Sequence, residues 1–188
     1  MLKYPNVTLE HTTPRIEHYR NVLATPFEVS EHPVPTVTGC LYDETRRLIG
    51  LSQRIGGHYG DFYPSLDPRE ISVETQSVRS IPGRSLYLGH YMAHYGHFLL
   101  ETLSTFWPFG SFREYDSFVF HPFTFGPNMT GFAYEAFEVF GIEGDQVEII
   151  SGPTVLEDVT IPERLICLNH SANAHVRTVY AKIRDVLG

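Results

Sequence analysis

Between Arg84 and Trp107 the chain switches from a strand-like to a helix-like hydrophobic period across a loop bracketed by Gly89 and Gly96. Ser85 to Leu88 is a short apolar run, the pattern of a buried strand. At 100° per residue from His97, the side chains of Leu99, Leu100, Leu103, Phe106 and Trp107 fall between roughly 180° and 300°, and those of His97, Glu101, Ser104 and Thr105 between roughly 340° and 80°. Pro108 and Gly110 end the helical period. The two glycines fit a tight exit from the strand and a close approach at the start of the helix. A strand that runs straight into an amphipathic helix is the building unit of strand-helix-strand folds, and it limits what the rest of the chain can do.

The alternation continues downstream. Ser117 to His121 is an apolar strand with a histidine at its end. Thr130 to Phe140 reads as a helix, with Thr130 as N-cap and Gly141 just past its end. Gln146 to Ile150, Val155 to Ile161 and Leu165 to Leu168 read as strands. Val176, Val179, Tyr180, Ile183, Val186 and Leu187 follow the spacing of a closing amphipathic helix. Before residue 80 the texture differs, with many prolines and polar turns. Val34 to Leu41 and Arg47 to Leu51 read as strands around an Asp43-Glu44-Thr45 hairpin, and Ile55 to Pro68 as a loop. The expected fold class is therefore α/β: a Rossmann-like, mostly parallel sheet over residues 81–188 with helices on both faces. Residues 1–80 form a β-rich region that packs on it. Such sheets bind ligands outside the carboxyl ends of their strands, where the loop Gly89 to Gly96 would lie.

Composition narrows the functional classes. The chain has 188 residues, 42% hydrophobic and 19% charged, with a formal net charge of -8, which argues against a broad nucleic-acid surface. Its 13 Phe and 11 Tyr are expected mainly in the core, with some able to line a sugar site. Cys40 and Cys167 fit no metal-ligand spacing and read as buried thiols of a reducing compartment. The N-terminus carries no apolar leader, and no window approaches the ~18 apolar residues of a membrane span. A cytoplasmic location follows as the expectation.

His90, His94, His97 and Glu101 would share one face of a continuous helix. With the helix starting near Tyr95, His90 and His94 move to the loop, and His97 and Glu101 remain one turn apart. A carboxylate beside an imidazole fixes its orientation, and such a pair lining an open crevice can remove a proton from an attacking hydroxyl. A histidine with a solvated ion-pair partner fits the spacing equally well. His90, His94, Tyr95, Ser104 and His121 are the candidate substrate-binding residues. No metal site is expected, because ligands strung along one straight helix at about 1.5 Å rise per residue do not converge on one ion. His58 and Asp61, in a tyrosine-rich loop, read as an acceptor-lining or solvated segment. Walker, GxGxxG, GxSxG and CxxC patterns are absent from the sequence.

The segment Tyr87–Phe109, YLGHYMAHYGHFLLETLSTFWPF, is similar to the signature segment of glycosyltransferase family 61. That family carries an Asn-Tyr-x-His-Trp-x-x-Glu-x-x-Pro-Arg-like run at the head of a helix. His97 matches its histidine, Phe98 the following aromatic and Glu101 its glutamate. The Gly-His-Phe wording and the later Trp107 resemble the bacterial variants. The family's Pro-Arg pair falls on Ser104 and Thr105, so the positive charge it carries there is missing. The resemblance implies transfer of a sugar from a nucleotide-sugar donor to a glycan hydroxyl in capsule or lipopolysaccharide biosynthesis, without a metal or separate cofactor. His97 and Glu101 would then act on the acceptor. It also implies one half of a two-domain GT-B-type glycosyltransferase. The nucleotide-sugar-binding second Rossmann-like domain, absent from this chain, would be supplied in cis or in trans. A lipid-linked acceptor would hold the protein at the inner face of the membrane. Two other functions fit the same residues: a non-catalytic glycan- or partner-binding module, and a small metallohydrolase built on the histidine cluster.

Overall fold

The computed structural model describes residues 7–27, 29–30, 36–37, 39–54, 78–123, 129–168 and 170–187. The described strands are β1 (Thr8–Glu10), β2 (Ile16–Ala24), β3 (Val29–Ser30), β4 (Thr36–Val37), β5 (Leu41–Tyr42), β6 (Arg79–Tyr91), β7 (Ser117–Pro122), β8 (Val147–Ile149), β9 (Thr154–Pro162), β10 (Ile166–Cys167) and β11 (Ser171–Asn173). The helices are α1 (Tyr95–His97), α2 (Gly131–Phe140) and α3 (Arg177–Leu187), with short 3-10 and π turns between the elements. None is long and apolar enough to cross a membrane.

The main sheet has six strands in the order β5-β2-β9-β6-β7-β8. Strands β9, β6, β7 and β8 run parallel. β2 lies antiparallel to β9 along its whole length, from Ile16↔Pro162 to Ala24↔Thr154, and β5 is antiparallel to β2. The expectation of a Rossmann-like, mostly parallel sheet with helices on both faces is thus corrected. The sheet is mixed and curls into a half barrel.

The packing gives the physical reason. On one face, Leu86, Leu88, Phe118 and Phe120 meet Phe137 and Phe140 of α2 and Val179 of α3. On the other, Tyr87, Val119, Val159 and Ile161 meet Val22, Leu41 and Ile49, which belong to strands and a turn. The sheet covers its own second face by curling β2 and β5 over it, and needs no helix there. β2 escapes detection in the sequence because Glu17, His18, Arg20 and Asn21 break its apolar run. The first eighty residues thereby contribute strands to the same sheet as the rest.

Aromatics fill the helical face. Phe106 stacks on Phe137 at 5.9 Å and 11° and meets Phe140 edge-on at 5.1 Å. Truncating such a ring to alanine costs about 3–5 kcal/mol. The expected turn is present: Asp43 Oδ1 accepts the Thr45 and Arg47 N–H groups at 2.8 and 2.9 Å, and Tyr42 bridges Leu48, but Arg47–Leu51 is not a strand, because a 3-10 turn begins at Gly50. The segment Ile55–Pro68, with His58 and Asp61, lies outside the described residues.

The helical segment after β6 starts at Tyr95 and runs to Thr105, with a π turn over Phe98–Thr102 and a 3-10 turn over Leu103–Thr105. π turns of this kind recur at functional sites. Two threonines stitch it to the strand: Thr102 Oγ1 donates to the His90 carbonyl at 3.0 Å and Thr105 Oγ1 to that of Leu88 at 2.9 Å.

Candidate active site

Parallel strands end on one rim, so the carboxyl ends of β6, β7 and β9 bring their last residues together. A bulge in β6 decides which way they face. Tyr87 pairs with Val119, but the next matched pair is His90 with His121, so β6 holds one extra residue. Gly89 takes that conformation at φ +77°, a region side chains rarely enter. The extra residue turns His90 onto the face of Tyr87 and His121, away from Leu88.

His90 and His121 are therefore sealed in the interior, at 1% and 0% exposure. His90 Nε2 lies 2.9 Å from the Gly39 carbonyl, and its Nδ1 lies 3.3 Å from Arg164 Nη2. A carbonyl only accepts and a guanidinium only donates, so His90 is a neutral ring with its proton on Nε2. His121 repeats the pattern, with Nε2 2.7 Å from the Thr25 carbonyl and Nδ1 2.7 Å from the Tyr87 hydroxyl. Burial, reinforced by the charge of Arg164, by His121 and by Arg54, holds the His90 pKa well below 6.5 despite the Gly39 bond. Burial lowers His121 to about 4, against the bond to Thr25. Burial also keeps the Tyr87 hydroxyl protonated by raising its pKa. The sequence reading placed His90 on a loop; it is a strand residue with both ring nitrogens occupied.

His97 and Glu101 are joined, His97 Nδ1 to Glu101 Oε1 at 2.6 Å. Their surroundings differ sharply. The His97 side chain is 40% exposed, whereas that of Glu101 is 1% exposed. The expectation that both line an open crevice is corrected accordingly. Glu101 faces Arg54, whose Nε and Nη2 donate to its two carboxylate oxygens at 2.9 and 3.1 Å. A second guanidinium, Arg164, stands with Nη1 3.7 Å from Oε2. Burial alone would raise the Glu101 pKa. The hydrogen bonds and charge of Arg54, the charge of Arg164 and the bond to His97 outweigh it and hold the carboxyl below its ordinary value. Glu101 is thus an ionised, acceptor-only group, and His97 donates Nδ1–H to it. The arrangement leaves Nε2 of a neutral His97 without a proton on the half-exposed side of the ring.

The helical segment also positions Arg164. The Trp107 indole N–H donates to the Glu163 carbonyl at 2.9 Å, and the Leu165 N–H donates to the Ser104 carbonyl at 3.3 Å. The chain on both sides of Arg164 is therefore pinned to the segment that carries Glu101. Ser104 turns its hydroxyl onto the Glu101 carbonyl at 2.7 Å and is fully buried, so it does not face a substrate. His94 is exposed, edge-on to His97 at 5.3 Å. Tyr95, 59% exposed, packs against Phe132 instead. Among the described residues no group of three His, Cys, Asp or Glu side chains is placed to hold a metal ion.

Arg54 and Arg164 are the residues that sequence reasoning missed. Neither stands in a motif, and both lie far along the chain from Glu101. One signal was present: Lys3 and Lys182 are the only lysines among 14 basic residues. Such a preference for guanidinium fits buried, bidentate pairing of carboxylates. Comparison with family models, with curated proteins and with solved structures finds no match to this chain.

Proposed function

We propose that the chain is the acceptor-side part of a sugar-transferring enzyme, with His97 as general base and Glu101 as the group that orients it. The observation that carries this reading is the 2.6 Å His97–Glu101 bond between a 40% exposed imidazole and a 1% exposed carboxylate. A buried carboxylate that fixes the ring and leaves its other nitrogen outward is the general arrangement of an activated histidine base. In the reaction, Nε2 of His97 takes the proton of a glycan hydroxyl. The freed oxygen bonds to the anomeric carbon of the donor sugar, and the nucleoside diphosphate leaves with the electrons of the broken carbon–oxygen bond. The likeness of Tyr87–Phe109 to the family 61 segment supports the same chemistry. Nucleotide binding falls to a second domain in cis or trans, and a lipid-linked acceptor would place the reaction at the inner face of the membrane.

The test is transfer from a panel of nucleotide sugars to glycan acceptors. His97→Asn should lower transfer about 10²- to 10⁴-fold, with the unfolding midpoint unchanged. Full activity in that variant, or no transfer from any donor by the wild type, would end the proposal. One observation favours a second reading: Arg54 occupies both Glu101 oxygens, as in a structural ion pair. A non-catalytic glycan- or partner-binding module would retain that pair, bind oligosaccharide and transfer nothing. A metallohydrolase built on His90, His94, His97 and Glu101 gains no support, because both ring nitrogens of His90 and both carboxylate oxygens of Glu101 are already engaged.

A further inference from the structure

A second place on the molecule has unfilled bonding capacity. A crevice of about 470 Å³ opens between β1, β2 and the chain that follows β9, and Arg164 forms part of its wall. Its volume is that of a small-ligand site. Neither His97 nor Glu101 lines it, so it is distinct from the proposed base.

Arg164 is the unusual group there. Its side chain is 10% exposed, and its Nε and Nη1 are buried without a hydrogen-bond partner among the described residues. The Glu101 carboxylate, already held by Arg54 and His97, is 3.7 Å from Nη1 and does not hydrogen-bond to it. Arg164 thus stands beside the neutral His90 with two of its three nitrogens unbonded. A buried guanidinium with unbonded nitrogens is costly unless an acceptor meets them.

The rim says which anion. Glu10, Glu17 and Glu163 border the crevice, and Arg15 at the same rim is engaged by Glu163 at 3.1 Å. A phosphate dianion would be repelled by three carboxylates. A single carboxylate carries half that charge and halves the repulsion, and hydroxyl groups on the same molecule can donate to the glutamates. Gln53 and Ser171 add neutral partners of the kind that hold sugar hydroxyls.

We propose that this crevice binds an acidic sugar of the hexuronate type, its carboxylate reaching Arg164 and its hydroxyls meeting Glu17, Gln53 and Ser171. Naming a sugar rests on the transfer reading; the arginine with two unbonded nitrogens in the crevice wall does not. Nε and Nη1 are covered by neighbouring side chains, which the ligand's carboxylate must move aside.

Cys167 supplies the readout. It lines the crevice and is partly exposed, whereas Cys40 is fully buried. Glucuronate should slow N-ethylmaleimide alkylation of Cys167 about fivefold or more at saturation, while glucose and inorganic phosphate should leave the rate unchanged. Arg164→Gln should abolish the protection. Should that variant fail to fold, Gln53→Leu keeps the arginine and should still weaken protection severalfold. Equal protection by glucose or phosphate, or none by glucuronate, overturns the proposal. His97→Asn must retain full protection. Protection without transfer in the wild type would leave the crevice standing and remove the enzyme reading. Transfer without protection would remove the crevice alone.

Discussion

His90 and His121 are register partners at the carboxyl ends of β6 and β7, and their rings stack 5.5 Å apart at 28°. Both are neutral donors through Nε2 and acceptors through Nδ1. Protonating His90 on Nδ1 would set a donor against Arg164 Nη2, in an interior that already holds Arg54.

Stability should therefore fall on acidification. Both folded pKa values lie below the ordinary 6.5, His121 at about 4. Between those values the unfolded chain binds the proton and the folded chain does not, so stability rises with pH there. It is fully present above about pH 6.5 and declines as pH falls toward the folded values. For His121 alone the loss reaches roughly 3 kcal/mol by its folded pKa. Urea unfolding at about pH 7.5 and about pH 5 measures it. Equal midpoints would show that the pair is not buried neutral.

The Arg54–Glu101 pair, with side chains 9% and 1% exposed, should behave as a coupled buried unit. Glu101→Gln strips the carboxylate from two guanidinium groups at once and should destabilise the protein by about 3–5 kcal/mol. Arg54→Met should cost a similar amount by leaving Glu101 less compensated. The double variant should lose less than the sum of the two, by roughly 0.5–3 kcal/mol. Strict additivity in a double-mutant cycle would separate the two residues.

Local elements were legible in the sequence because their signals are local. The apolar run Ser117–His121 is β7, the helix after Thr130 is α2, and Gly141 ends it at φ +72°. The spacing of His97 and Glu101 was legible for the same reason. Strand partnership was not. β9 is mostly buried, and its antiparallel partner β2 is far away in sequence with charged residues along its exposed length. Nor could sequence reveal that Glu101 is sealed under Arg54, since a helical period places a residue on a face without saying what covers that face.

Gly89 and Gly96 look alike in the sequence, yet substitution should affect them in opposite directions. At Gly89, φ is +77° and an added Cβ would lie 3.1 Å from Arg164 Nη2. Gly89→Ala should cost about 1–2 kcal/mol from the backbone alone, with further loss if Arg164 is displaced. At Gly96 the nearest atom is 3.6 Å away, an ordinary contact, and the residue lies in α1. Gly96→Ala should stabilise by up to about 1 kcal/mol through helix propensity. Thermal unfolding of both variants checks the contrast, and equal effects would contradict the bulge as the source of the Gly89 requirement.

The proton position on three rings gives the sharpest test of the base assignment. Glu101 is held ionised and can only accept, so a neutral His97 must carry its proton on Nδ1. His90 and His121 must carry theirs on Nε2, since each Nε2 faces a backbone carbonyl. Long-range proton–nitrogen correlation spectra at alkaline pH, where imidazoles are neutral, should show one Nδ1–H ring among two Nε2–H rings. Glu101→Ala should release His97 to a mixture of tautomers and leave any folded His121 unchanged. An Nε2–H tautomer for His97 in the wild type would put the proton on the nitrogen that has to receive one, and His97 could then not serve as the base.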